Sequence, residues 1–406
     1  MPDLTEDNTY RTSTQYRLWS YNRESLASLR ATTNATAADG VRAAINSLHP
    51  RKQDNDGEQV RQASLPKEVE CLTVEEEQKL VGFYCVKTME FANFCDFPTN
   101  VKVPQAHCRW KITAKERTQA TAVQYLRRFY LSNSPMTYHP KEMMPSALFL
   151  ATKTENNYIS LNKFAEKLPK TTAEDVIAPE FLLTQGLRFT FDVRHPHRGL
   201  EGGFMELLAL AKGKGQPGVS NITTSTQLQN QMMSIIPAQK AGKTSRSADE
   251  VIHRIQTAHG KAKDILKTSA LLSDAYFFYT PSQIWLSSLF LADEPLARFY
   301  IDTKFPTPSP LKPKLLTTLR SCVDLLRESP SAEPDKEEMK ELKRVDKKLY
   351  KCRNPEKIDL VEINKAQKRE GGEEGLDEKV VKKRKMEREK SEKEAEDVFG
   401  PPLDAK

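Results

Sequence analysis

The chain has 406 residues, room for two ordinary domains plus tails at a prior of roughly 150 residues per domain. Hydrophobic residues make up 38% and charged residues 29%, a balance too polar for a wholly compact protein, so substantial segments are expected outside any core. The net charge of +7 is spread over 62 basic and 55 acidic side chains and does not mark a nucleic-acid binder, and no apolar run approaches the roughly 18 residues of a membrane span.

In chain order, the first apolar-periodic stretch covers 16–30, where Leu18, Tyr21 and Leu29 fall on one side of a helical wheel and Trp19 and Leu26 widen the stripe. From 31 to 66 large apolar residues are scarce, which predicts a linker that completes a tethered N-terminal segment over 1–65. A long helix is predicted from about Thr73, with Glu75, Glu76 and Glu77 at the positive end of its dipole and Leu80, Phe83, Tyr84, Phe91, Phe94 and Cys95 on one face. Further helices are predicted at 118–132, 140–153, 159–168 and 172–188, with Pro140 in a first turn and Pro145 placed to kink its helix. Five helices with short connections and no alternating pattern make an all-α domain over 66–193.

A second all-α domain is expected over 194–330. It has helical patterning at 203–212, a low-complexity insertion at about 213–247, and helices at 248–279, 281–292, near Leu296 and at 313–327. Beyond 330 the chain is a charged tail, 331–406, too poor in apolar residues for another core and largely disordered by composition. One helix is expected in it, over 337–350, where Met339, Leu342 and Leu349 can pack back on the body.

No motif in the chain argues for catalysis. Gly213-Lys214-Gly215-Gln216-Pro217-Gly218 matches a dinucleotide fingerprint in letters, but a helix precedes it where a strand is required, so a loop is favoured. Gly242-Lys243-Thr244 lacks the upstream glycine of a phosphate loop, Pro237 standing there instead. His195 and His197 have no third ligand at metal-site spacing and read as turn residues. Cys71, Cys85, Cys95, Cys108, Cys322 and Cys352 form no C-x-x-C pair and read as reduced thiols, so neither a metal nor a cofactor is expected. The first residues lack a basic region followed by an apolar core, so a soluble intracellular protein is expected. The basic cluster Lys382, Lys383, Arg384, Lys385 suits a nuclear localisation signal as well as it suits a solvated charge run.

Several segments together carry a family resemblance. These are 127–134 (Arg-Arg-Phe-Tyr-Leu-Ser-Asn-Ser), Tyr138-His139-Pro140, 147–155 (Ala-Leu-Phe-Leu-Ala-Thr-Lys-Thr-Glu), Asp274-Ala275-Tyr276 and Tyr279-Thr280-Pro281-Ser282-Gln283-Ile284, with Trp19-Ser20 and Leu29-Arg30 upstream. Across 16–330 the chain resembles the cyclin family in its cyclin H branch. The resemblance implies two tandem five-helix cyclin boxes and a regulatory rather than catalytic chain. It implies a nuclear complex with a cyclin-dependent kinase of the CDK-activating type, a RING-finger assembly factor and the TFIIH core. It also implies a kinase-docking pair, Lys153 at the end of the third helix and Glu180 on the fifth, with Leu150 and Phe189 as the apolar part of the interface. Without the resemblance, the two charges read as a surface pair and the two apolar residues equally well as core. Segment 105–116 departs from the family pattern as an apparent insertion before the second helix. Another transcriptional cyclin, or a TFIIB-like DNA-binding factor, remains an alternative, although the latter's paired zinc-ribbon cysteines are absent from this sequence.

Overall fold

The computed structural model describes residues 6–48, 69–95, 113–168, 171–215, 224–235, 248–305, 309–329 and 334–353, and among them every regular element is an α-helix. The N-terminal arm comprises α1 (Glu6–Arg11), α2 (Thr14–Trp19) and α3 (Arg23–Leu48). The helix predicted over 16–30 is interrupted because Ser20 is extended and the Tyr21 N–H donates to the Phe277 carbonyl (2.8 Å) instead of to its own helix. The stretch from 31, predicted as linker, is helical to Leu48. Its alanines are strong helix formers, and Ala38, Val41 and Ala44 at three-residue spacing are enough to bury one face.

The first bundle begins with α4 (Val74–Phe94), started by a reciprocal cap between Thr73 and Glu76. Its neighbour α5 (Ala114–Ser132) is capped in the same way by Thr113 and Glu116, four residues ahead of the predicted start. Most of α5 is buried, Tyr125, Leu126, Arg128 and Phe129 included, which makes it the central helix of the bundle. In α6 (Pro140–Thr154) the His139 ring caps the first turn, Pro140 takes a position whose N–H has no helical partner, and Pro145 is buried within the helix. The bundle closes with α7 (Leu161–Glu166), α8 (Ala173–Ile177) and α9 (Glu180–Gly186). A single helix over 172–188 is prevented by Pro179, which lacks the donor to continue it.

The second bundle consists of α10 (His197–Ala211), α11 (Ser225–Ser234), α12 (Ala248–Lys267), α13 (Ser269–Leu272), α14 (Ala275–Phe278), α15 (Pro281–Ala292), α16 (Glu294–Lys304) and α17 (Leu311–Arg327). Gly203 lets α10 lie directly on Trp285 of α15, since a Cβ there would stand 2.7 Å from the indole ring. The predicted low-complexity insertion contains α11, started by a Thr224–Gln227 cap and anchored by buried Leu228 and Met232. One continuous apolar cluster runs through both bundles. In the tail, α18 (Lys336–Cys352) returns to the body, burying Val345, Leu349 and Cys352 against Ala38, Val41, Leu72 and Leu80. Of the cysteines, the five described form no disulfide with one another; Cys108, like 105–112 of the apparent insertion, lies outside the described residues. No helix among the described residues is long and apolar enough to cross a membrane.

Candidate partner-docking site

Lys153 lies in the last turn of α6 and Glu180 opens α9, so each charge sits at the helix end whose dipole favours it. The two meet across the bundle surface: Lys153 Nζ stands 2.5 and 2.7 Å from the Glu180 carboxylate oxygens and 4.6 Å from the centroid of the Phe149 ring. Their side chains are 36% and 20% exposed. An ammonium has three donors, so one remains for a partner's carbonyl after the carboxylate is satisfied. The pair is thus oriented before any partner arrives.

The structure separates the two apolar residues, for which core and interface read equally well in sequence. Leu150 is 5% exposed and belongs to the core, because it projects inward from α6. Phe189 is 63% exposed, and Phe181, next to Glu180, is 56% exposed. Phe181 escaped the sequence reading because periodicity alone does not fix how a short helix is rotated between core and solvent. Arg188 and Phe189 both adopt left-handed backbone (φ 53° and 54°), a conformation that costs energy in residues with a Cβ. Hydrogen bonds from the Phe189 N–H to Thr184 O (3.0 Å) and from the Arg188 N–H to Gln185 O (2.8 Å) hold it.

The N-terminal arm braces the same segment. Trp19 Nε1–H donates to Thr190 Oγ1 (2.9 Å), and the Trp19 ring takes the Arg188 and Arg128 guanidinium groups at 5.3 and 5.1 Å. Gln15 Oε1 accepts from the Arg194 backbone N–H (2.6 Å) and from Arg128 Nη2 (3.2 Å). Asp274 accepts from Arg30 of α3 (2.7 and 2.8 Å) and Arg127 of α5 (2.5 Å). Burial pushes its pKa up, but the two arginines outweigh this and hold the carboxyl below its ordinary value.

At the junction of the bundles, the Thr121 hydroxyl donates to Glu155 Oε1 (2.6 Å) and accepts from His195 Nε2–H (2.9 Å). That assigns the tautomer, leaving His195 Nδ1 to accept from the Tyr276 hydroxyl (3.0 Å). His195 lies in the connection that leads into α10, as expected of a turn residue, and His197, buried, opens α10, so both belong to the junction of the bundles. Among the described residues no group of three or more His, Cys, Asp or Glu is arranged to hold a metal. Gly213, at φ 67°, follows the end of α10 as a helix-terminating glycine; residues 216–218, 242–244 and the cluster Lys382, Lys383, Arg384, Lys385 lie outside the described residues.

Two tandem all-α bundles, the first with a lysine–glutamate pair across its surface, are the architecture of a cyclin-type chain. The family comparisons agree. Residues 108–192 match the profile of the cyclin N-terminal domain and residues 195–327 that of the cyclin C-terminal domain; the chain belongs to the cyclin family. It is similar to the cyclin CCL1 of Saccharomyces cerevisiae, 32% identical over 75% of this chain, a match spanning 63% of that protein's length. It is also similar to the cyclin mcs2 of Schizosaccharomyces pombe, 27% identical over 85% of this chain and 86% of that one. Among solved structures, a chain of the CAK complex of Chaetomium thermophilum bound to ATP-γ-S matches with a TM-score of 0.67 and 33% identity, over 92% of this chain and 98% of that one.

Proposed function

We propose that the chain is the cyclin subunit of a CDK-activating kinase of the TFIIH type, working in the nucleus with a cyclin-dependent kinase, a RING-finger assembly factor and the TFIIH core. The kinase complexes named by its structural relatives, CAK from Chaetomium and yeast TFIIK (Kin28/Ccl1/Tfb3), support this reading. The observation that carries it is the Lys153–Glu180 pair, preassembled between two helix ends and flanked in sequence by exposed Phe181 and Phe189. Such a surface suits a partner helix: the aromatic rings lose water on contact, and Lys153 satisfies carbonyls at the helix terminus. Binding of this kind shifts the kinase's mobile regulatory helix toward its active arrangement, and the cyclin supplies no catalytic group. The substrates of the complex are then other cyclin-dependent kinases and the C-terminal repeats of RNA polymerase II.

The test is a titration of the purified kinase with wild type and with Lys153→Ala/Glu180→Ala, read as affinity and as kinase activation. Losing a desolvated charge pair should cost about 2 kcal/mol or more, roughly a thirtyfold loss of affinity. Unchanged binding and activation would remove the pair from the interface.

A further inference from the structure

A second open surface lies elsewhere on the molecule. A cleft of about 870 Å³ runs between α3, α4, α5, α17 and α18, and none of its lining residues comes from α6 or α9. Val81, Gly82 and Val86 of α4, with Leu325 and Leu342, give it apolar walls. The rim is acidic. Glu75, Glu328, Glu337 and Glu338 line it as exposed side chains, and neither Glu75 nor Glu328 has a salt bridge among the described residues. The cations that line it are already engaged: Arg30 and Arg127 by Asp274, and Lys79 at 3.8 Å from Glu341. In a chain of net charge +7, this is a locally negative groove with a greasy floor.

Gly82 adds an independent observation. It sits in the interior of α4, where glycine costs stability relative to alanine, yet a Cβ built on it meets nothing within 4 Å. Gly40, Gly202 and Gly260 share that openness, but of the four only Gly82 lines the cleft. Nothing inside the protein requires the missing side chain; the space it leaves deepens the groove.

We propose that this cleft docks a basic amphipathic helix of a partner protein, its apolar side chains entering over Gly82 and its Lys or Arg residues meeting the glutamate rim. The walls are helices and the described residues offer no strand edge, so a helix laid in a groove is the recognition mode available. The site is separate from the Lys153–Glu180 face and stands without the kinase reading.

The probe is a fluorescein-labelled leucine–lysine peptide of about 18 residues with helical spacing, long enough to fold in a groove. It is titrated against the full chain by anisotropy, beside a leucine–glutamate peptide of the same pattern. The lysine peptide should bind at least tenfold more tightly, and more weakly as salt rises. Gly82→Leu, which fills the floor while favouring the helix, and Glu328→Lys, at a helix end where a cation is welcome, should each weaken binding about tenfold with far-UV circular dichroism unchanged. Lys153→Ala/Glu180→Ala should bind the peptide as wild type does. Equal affinity for the two peptides, wild-type binding by Glu328→Lys, or a concentration-dependent dimer in sedimentation that Gly82→Leu abolishes would each overturn the proposal, the last by making the occupant a second copy of the chain. Should Gly82→Leu fail to fold, Glu328→Lys decides alone.

Discussion

Trp19 is 2% exposed and lies between two guanidinium groups, one of which, Arg128, is itself buried with no carboxylate salt bridge among the described residues. Burial lowers the Arg128 pKa to about 10, which still leaves it charged at neutral pH. Its hydrogen bonds go to Asp192 O and Gln15 Oε1, both at 3.2 Å, so the indole face and these two dipoles carry the compensation for its lost water. Removing the ring exposes that charge and empties a large volume at once. Trp19→Ala should therefore cost about 3–5 kcal/mol in urea unfolding. Trp19→Phe, which keeps an aromatic face while losing the bond to Thr190 and part of the ring volume, should cost less, about 1–3 kcal/mol. Equal losses in the two variants would mean that the ring face contributes nothing.

At the scale of elements, α18 depends on a narrow stripe. Val345, Leu349 and Cys352 are fully buried on one side, while Arg344 and Lys348 bond Glu76 at 2.6 and 2.8 Å. Burial pushes the Glu76 pKa up, but Lys348, the Thr73 N–H and Arg344 together bring it down to about 2. Leu349→Ala should cost about 2–5 kcal/mol if α18 unfolds with the body, and much less if the helix merely detaches; hydrogen exchange at 336–352 tells the two apart. The stripe was legible in part: Leu349 and its helix follow from periodicity, whereas Cys352 lies beyond the predicted end. The starts near Thr73 and Pro281 were legible, and each is made by a reciprocal cap, Thr73–Glu76 and Thr280–Gln283. A like cap at Thr224–Gln227 lies in a segment of polar composition, which hides α11, and the part of α3 beyond residue 30 lacks large apolar side chains, although alanines bury well. Lys153 and Glu180 could be paired only through the family resemblance, since 27 residues separate them and no local pattern spans that distance.

At the scale of the whole molecule, the two bundles share one continuous apolar cluster, and the polar junction of Thr121, Glu155, His195 and Tyr276 beside it bears on their response to acid. His195 is bonded on both ring nitrogens in its neutral form; His197, buried beside it at 6.2 Å between ring centroids, has no hydrogen-bond partner on either nitrogen among the described residues. Burial lowers both pKa values, His195 well below 6.5 and His197 to about 4. Burial is the first cause at both rings; of the charges that bear on them, Glu116 raises the His197 pKa while Lys263, Lys267 and Arg117 lower it, and His197, Arg128 and Arg117 lower that of His195. The unfolded chain protonates these histidines near 6.5 while the folded one refuses the proton, so stability must fall as pH drops below 6.5 and level off only below the folded values. Each histidine contributes a slope approaching about 1.4 kcal/mol per pH unit. Urea midpoints should then decline steadily from pH 7 to 5, above the range where the carboxylate pairs fail. His197→Leu should be as stable as wild type or more so at pH 7.5, because it removes two unsatisfied polar atoms, and should lose one histidine's share of the slope. An unchanged slope in that variant would move the acid sensitivity to His195 and its relay through Thr121 to Glu155, where Thr121→Val would then be the next substitution to measure.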